Sequence, residues 1–416
     1  MDYTGETNRP EQAQQTAPAP IQQAPTSPRR YVLPVGIAVI GLFVATVAWA
    51  MGGQPQRFIA AGLQFAPVVI LAVLAYAGLR NEVARVFTYI WLAILAVGVI
   101  VGILGLVLIS VMRLEVLGAT RAGPPITPQE LFKPGAEQAL LWSVVLLALA
   151  TLVSAITLLR PVRVALSRIM PIDPDNFVHK VALAFLTLFT LSAFVPLIAL
   201  GGRPPLLEMA EAIQSGALQQ QAGQEMELSI SPLDQIYQFV WTIPATFIAA
   251  GWPMVRGFRA GLVRLGMVVP TWVQAGIGVA LGVVLAAVVS FALDPAIQWL
   301  WQTMGWPTTD VEVFERLMSQ LLTPVGAVII GVTAGIGEEM MVRGLLQPRL
   351  GIVASNLVFT AAHAPQYGTD ALFSVFVLGL LLGLIRARTN TTTSAIVHGV
   401  YDFVVVMAMV MAPSQG

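Results

Sequence analysis

The sequence predicts an all-α, polytopic transmembrane helical bundle of about eleven spans, and three observations carry that expectation. Of 416 residues, 56% are hydrophobic and only 11% are charged, against roughly a quarter charged in an average soluble domain. The apolar residues come in runs near the roughly 20 residues that a spanning helix needs. Basic residues gather in alternate loops between those runs, as they do in multi-pass proteins. A soluble fold of this length could not hide so much apolar surface, so the bilayer is the expected solvent.

In chain order, residues 1–30 are dominated by Gln, Pro, Thr and Ala without apolar periodicity. Such a stretch buries too little surface to order itself and is expected to be a disordered cytoplasmic tail. The first apolar run starts at Tyr31, after Arg29 and Arg30. Its length predicts a retained membrane helix and not a signal peptide. The expected spans are 31–51, 58–79, 86–112, 138–159, 178–200, 236–255, 272–293, 322–342, 350–364, 371–386 and 394–412, with the ninth and tenth short. Segment 294–321 is amphipathic, and its Trp299, Trp301 and Trp306 suit a membrane interface. The pairs Gly278/Gly282, Gly331/Gly335 and Gly379/Gly383 have the spacing of close-packing positions between helices. No internal repeat of the transporter kind appears.

With the tail in the cytoplasm, the loops on that side collect Arg80, Arg85, Arg160, Arg163, Arg168, Lys180, Arg256, Arg259, Arg264, Arg343, Arg349, Arg386 and Arg388. The other side holds only Arg57, Arg113, Arg121, Lys133, Arg203 and Arg316. This bias predicts an integral multi-pass protein of the cell membrane with a cytoplasmic N-terminus. The formal net charge is zero, which gives no reason to expect a nucleic-acid partner. Cysteine is absent, which excludes disulfides, thiol catalysis and thiolate metal sites.

Polar residues divide the chain. Residues 31–255 read as N-terminal transmembrane helices without an assignable role, with almost no ionisable group at membrane depth. Residues 322–412 place Glu338, Glu339, Arg343, His363, His398 and Asp402 there, and such groups cost about 2.5–3.5 kcal/mol each even on the mild translocon scale. Two of the chain's three histidines are in this set; the third, His179, reads as an interfacial bystander beside Lys180. With Arg349 and Arg388 at the cytoplasmic face, helix rise puts Glu338 and His398 roughly 15 Å deep and His363 and Asp402 roughly 21 Å deep. Three helices thus meet in one layer near the middle of a roughly 30 Å hydrocarbon core.

Within that layer Glu339 and Arg343 are four residues apart, the spacing of an ion pair that fixes a helix. Glu338 points about 100° away with no cation at helical spacing, which suits a general base for water. His363 shares its depth. His398 and Asp402 are again four apart and can face one site, with Asp402 free to orient His398. Pro365 is expected to end or kink the helix after His363, leaving irregular backbone where a water-filled cavity tolerates it. Glu338, His363 and His398 could also supply the three ligands of a zinc site, although the His-Glu-x-x-His arrangement of zinc proteases is absent.

The motifs Glu338-Glu339-Met-Met-Val-Arg343, Phe359-Thr-Ala-Ala-His363 and His398-Gly-Val-Tyr-Asp402 resemble those of the CPBP family, intramembrane glutamic endopeptidases that include the CAAX prenyl proteases and bacterial Abi proteins. The resemblance covers about residues 270–412 and implies a protease core with a site open to the cytoplasm. It implies that Glu338, with His363, activates a water, that His398 and the residue at 402 stabilise the oxyanion, and that Glu339 and Arg343 hold the helix. Asp402 stands where the prenyl proteases have Asn, and an ionised carboxylate there would repel an oxyanion. The expected activity is hydrolysis of a peptide bond in or near the membrane of a lipidated (CAAX-type) or small peptide substrate. No cofactor is expected, with a divalent metal such as zinc as the alternative. The expected partners are a peptide or lipidated protein and membrane lipids. A catalytically silent scaffold or immunity protein on the same fold is the competing reading. A proton-coupled transporter is less favoured, since repeats are lacking.

Overall fold

The computed structural model of the chain describes Gly41 and residues 44–113, 127–214 and 229–411. The tail 1–30 and most of the first expected span lie outside the described residues. Within them there is no strand, only one isolated bridge between Met112 and Phe132. Ten helices organise the bundle: α1 (Gly53–Ala77), α2 (Glu82–Val111), α3 (Ala136–Thr157), α4 (Phe177–Ala193), α5 (Pro232–Ala249), α6 (Trp272–Val288), α7 (Pro324–Val332), α8 (Gln347–His363), α9 (Thr369–Arg388) and α10 (Thr391–Met411).

Side-chain oxygens mark where several helices start. Asn81 accepts from the amides of Val83 and Ala84, Asn176 from those of Val178 and His179, and Thr323 from that of Gly326; each satisfies donors that a helix start leaves orphaned. Inside the helices, hydroxyls return to the backbone: Thr88 and Ser143 donate to the carbonyls of Ala84 and Ala139 at 2.7 and 2.8 Å. A lipid environment demands such internal satisfaction.

Among the described residues, eight helical runs are long and apolar enough to cross a membrane. The difference from eleven has three causes. The first expected span is largely outside the described residues. The expected 236–255 span forms α5, which starts about one turn earlier and carries Asp234, Gln235 and Gln238, too polar on average to join those eight. The expected spans 322–342 and 350–364 join into one run, Pro324–His363. Gly351 breaks that run with φ 76° and ψ 179°, a conformation open mainly to glycine. The chain turns back there, so α8 lies against the segment that precedes it.

Segment 294–321 also differs from expectation. Asp294–Met304 continues α6 through a π-helical turn into one run, Trp272–Met304. Trp301 is buried and donates its indole N–H to Thr369 Oγ1 at 2.9 Å, while Trp299 is exposed. Interior packing at the end of α9, not a membrane interface, therefore holds Trp301.

The turns sort into two faces. Arg264 donates to the carbonyls of Gly344 and Leu345, and the Thr391 amide to Gly266 O, so the arginine-rich turns near 256–266, 344–351 and 388–391 share one face. On the other, the Leu206 amide bonds Pro365 O, the Ile230 amide bonds Leu317 O, and Thr309 bonds Asp370. Helices α1–α4 pack together, α6–α10 form the second group, and α5 touches both. Trp241 on α5 donates to Phe58 O at 2.9 Å, and its ring fills the space a side chain at Gly62 of α1 would need. The opposite side of α5 meets the turns around Glu338.

Candidate active site

The Glu338–Glu339 pair sits in unusual helix. Thr333–Glu338 and Met340–Leu346 are π-helical on either side of Glu339, and such wide turns concentrate at functional sites. Glycines let this segment approach α10. A Cβ on Gly331 or Gly335 would lie only 2.6 Å from Gly399 O or 2.7 Å from Ala395 O. The close contact brings both glutamates beside His398, and it sends the two side chains to opposite environments. Glu339 has no solvent exposure, whereas the Glu338 side chain keeps 34%.

Glu339 is the centre of a buried polar cluster. Its carboxylate accepts from Ser394 Oγ at 2.5 Å and from His398 Nδ1 at 3.1 Å, and it lies 3.5 Å from Arg343 Nε. Arg343 also donates to Gly379 O at 2.9 Å and lies over the Phe359 ring, 4.6 Å from its centre. The second nitrogen of His398 faces Asp402 at 3.5 Å. These partners offset the cost of burying the cluster, although Arg343 Nη1 is buried without a hydrogen-bond partner.

Glu338 faces a cavity of about 450 Å³ that runs from the middle of the bundle toward the face opposite the arginines. His363, at the end of α8, holds its Nδ1–H on the Phe359 carbonyl at 2.9 Å. A carbonyl only accepts, so the proton sits on Nδ1 and the Nε2 lone pair points away. That Nε2 lies 4.0 Å from Glu338 Oε2, too far for a direct hydrogen bond and close enough for one water to bridge. Two acceptors at that spacing fit a water that donates one hydrogen to each.

Rings connect this point to the cavity's far end. Phe359 meets His363 edge-on at 4.6 Å, His363 stacks on Tyr367 at 5.9 Å, and Tyr367 meets Phe314 at 5.3 Å. Phe314 belongs to the helix Val311–Leu317, which covers that end and is tied to α9 where Asp370 accepts from Thr309. Gln235, Gln238, Phe239 and Thr242 of α5 form another wall, and Asp294, bonded by Ser374 at 2.5 Å, a third. Sequence reasoning missed these residues, apart from Phe359 as a motif letter. Polar side chains in α5 and an acid at the end of the α6 run were the available signals.

All six side chains singled out in the sequence thus come together, though not as one set. Glu338, His363, His398 and Asp402 line the cavity, with Glu338 and His363 facing each other; Glu339 and Arg343 lie behind, tied to it through His398. Both His398 nitrogens are turned to Glu339 and Asp402, so it does not converge with Glu338 and His363 as a three-ligand zinc site would require. Among the described residues no three such side chains are grouped to hold a metal ion. His179 lies elsewhere, accepting the Asp173 amide at its Nδ1.

Residues 320–404 match the family described as Rce1-like, type II CAAX prenyl endopeptidase Rce1-like. This part of the chain is an Rce1-like domain, consistent with the CPBP family. No curated protein and no solved structure matches the chain. The Rce1-like domain holds Glu338, Glu339, Arg343, His363, His398 and Asp402 within its bounds. Together with eight apolar helices it makes the chain an integral membrane protein whose domain supports a membrane protease. The α5 wall and the covering helix Val311–Leu317 lie outside that domain.

The cavity's position bears on two expectations. The resemblance implies a site open to the cytoplasm, while the charge bias puts the arginine-rich face there. The cavity reaches the other face, so the two expectations exclude one another.

Proposed function

We propose that the protein is an intramembrane endopeptidase in which Glu338 activates a water against a peptide carbonyl. The observation that carries this reading is the 4.0 Å gap between Glu338 Oε2 and His363 Nε2 at the inner end of a cavity. A water held there gives a hydrogen to each acceptor and leaves its lone pairs directed at a substrate carbonyl. Glu338 takes the proton as the C–O bond forms. His363 Nε2 receives that proton from Glu338 and passes it to the leaving nitrogen as the C–N bond breaks, which returns Glu338 to the carboxylate.

His398 is assigned to the oxyanion. An imidazolium at His398 would pair with the carboxylates of Glu339 and Asp402 on its two sides, in a medium that penalises unpaired charge. His398 then donates Nδ1–H to Glu339 and offers Nε2–H toward Asp402 or the developing oxyanion. In this reading Asp402 is a positioning residue, and its negative charge is offset before the oxyanion forms. The substrate is a lipidated or small peptide whose scissile bond enters the membrane. On the basic-residue bias, it reaches the cavity from the non-cytoplasmic side.

The test is peptide cleavage by purified protein in lipid, wild type beside Glu338→Gln, with prenylated and unprenylated peptides, a chelator control and mass-spectrometric readout. Cleavage by wild type alone supports the mechanism, whereas retained cleavage in Glu338→Gln removes Glu338 as the base. Loss with chelator would move the chemistry to a metal. Sidedness is read separately, and the cysteine-free sequence gives a clean background. A membrane-impermeant maleimide on intact cells should label Thr308→Cys and spare Arg388→Cys; the reverse pattern would put the cavity on the cytoplasmic side.

A further inference from the structure

The arginine-rich face has a cavity of its own. It encloses about 410 Å³ between α1, α4, the end of α5 and the turn at Leu345–Leu350, a size within the roughly 300–1,000 Å³ of small-molecule sites. Leu71, Ala75, Val181, Phe185 and Leu350 give it apolar walls. Val68 lines it and is also 40% exposed on the outer surface of the bundle, so one wall continues into the surface that faces lipid.

Its polar lining is unbalanced. Arg256, Arg264 and Arg349 all contribute, all half-buried, and Asp173 is the one carboxylate. None of the three arginines forms an ion pair among the described residues. Arg264 spends two N–H groups on the carbonyls of Gly344 and Leu345, and Arg256 bonds the Ala250 carbonyl. Burial, with the charges of Arg349 and Arg256 beside it, pulls the Arg264 guanidinium down to about 10. His179 accepts the Asp173 amide at Nδ1, which leaves it a single N–H to offer. An apolar chamber that continues to the outer surface and is rimmed by excess positive charge suits an anion with a hydrocarbon tail.

We propose that this cavity binds an anionic phospholipid, its phosphate on the arginine rim and one acyl chain along α1 and α4. The site is separate from Glu338 and does not depend on the protease reading. A free phosphate would satisfy the arginines but leave the apolar walls empty, which is why a lipid is the assigned occupant. Basic pockets between membrane helices hold lipid headgroups in this manner.

The experiment is native mass spectrometry of the purified full chain after exchange into mixed phosphatidylglycerol and phosphatidylcholine, with thermal unfolding in detergent as a second readout. Wild type should retain phosphatidylglycerol selectively and be stabilised by it. The double variant Arg256→Gln/Arg349→Gln should weaken retention roughly tenfold or more, while Arg168→Gln, an exposed arginine outside the cavity, should not. Should the double variant misfold, Ala182→Phe fills the apolar wall with every arginine in place and should also lose the lipid. Equal retention of phosphatidylcholine overturns the proposal, as does undiminished retention in either cavity variant. Stabilisation by inorganic phosphate equal to that by phosphatidylglycerol would make this a plain anion site and overturn it too.

Discussion

The two layers of polar residues around the candidate site are built differently. In the cavity layer, Glu338 keeps a third of its side-chain exposure and touches His363 only across 4.0 Å. In the layer behind it, Glu339 has three partners and no exposure, and Arg343 is clamped between Glu339, Gly379 and the Phe359 ring. A group that must exchange protons with water and substrate needs unmet hydrogen-bonding capacity. A group that must hold a fixed position in a low-dielectric interior needs the opposite. In the proposed mechanism adjacent glutamates therefore serve opposite ends, one reactive and one supporting. Phe359 joins the layers, since its carbonyl fixes His363 and its ring touches both Arg343 and His363.

Variants can break this comparison. The largest expected effect is on turnover in Glu338→Gln, which should fall about 10²–10⁴-fold, the usual share of a general base, with thermal unfolding near wild type. A large loss of stability there would place Glu338 in the supporting layer. Glu339→Gln should do the reverse first, lowering stability by about 3–5 kcal/mol, because it strips a buried guanidinium and imidazole of their counter-charge; unfolding in detergent measures this. An unfolding midpoint unchanged from wild type would deny the cluster its structural role.

Phe359→Leu keeps the backbone carbonyl and removes the ring. It should cost about 1–2 kcal/mol from the lost cation–π contact and slow cleavage roughly tenfold as His363 loosens. Comparing its kcat with its unfolding midpoint separates the two roles. Gln238→Ala on α5 should have the smallest effect, raising KM a few-fold, or by about 1 kcal/mol of binding, with kcat little changed. An unaltered KM would mean that this wall of the cavity does not meet substrate.

The site was more legible in the sequence than the bundle around it. Ionisable residues at membrane depth are so costly that Glu338, Glu339, Arg343, His363, His398 and Asp402 stood out individually, and helical rise put them in one layer. The partition between them was less visible. Sequence spacing suggested Asp402 as the group that orients His398; the structure has Asp402 at Nε2 and adds Glu339, 59 positions away in the chain, at Nδ1. The polar start of the 236–255 span finds its reason only in the structure, because average hydrophobicity does not reveal which face of a helix meets a cavity. Asp234, Gln235 and Gln238 cluster at the start of α5, and Gln235 and Gln238 line the cavity. Likewise, Trp301 read as an interface residue, since an indole suits either a headgroup or a buried hydroxyl, and only the nearness of Thr369 decides.

Composition and periodicity alone determined that this chain is a helical membrane protein, because unsatisfied backbone in lipid leaves only helices and closed barrels, and apolar runs of roughly 20 residues select the helix. The sequence also determined which residues carry charge into the membrane. Tertiary structure decided how those charges are shared. The reversal at Gly351 folds α8 back so that His363 faces Glu338. The glycine contact of Gly331 and Gly335 with α10 seats Glu339 under His398. Both outcomes depend on distances between elements far apart in the chain, and pairing at a few ångströms is set by packing, which no local pattern encodes.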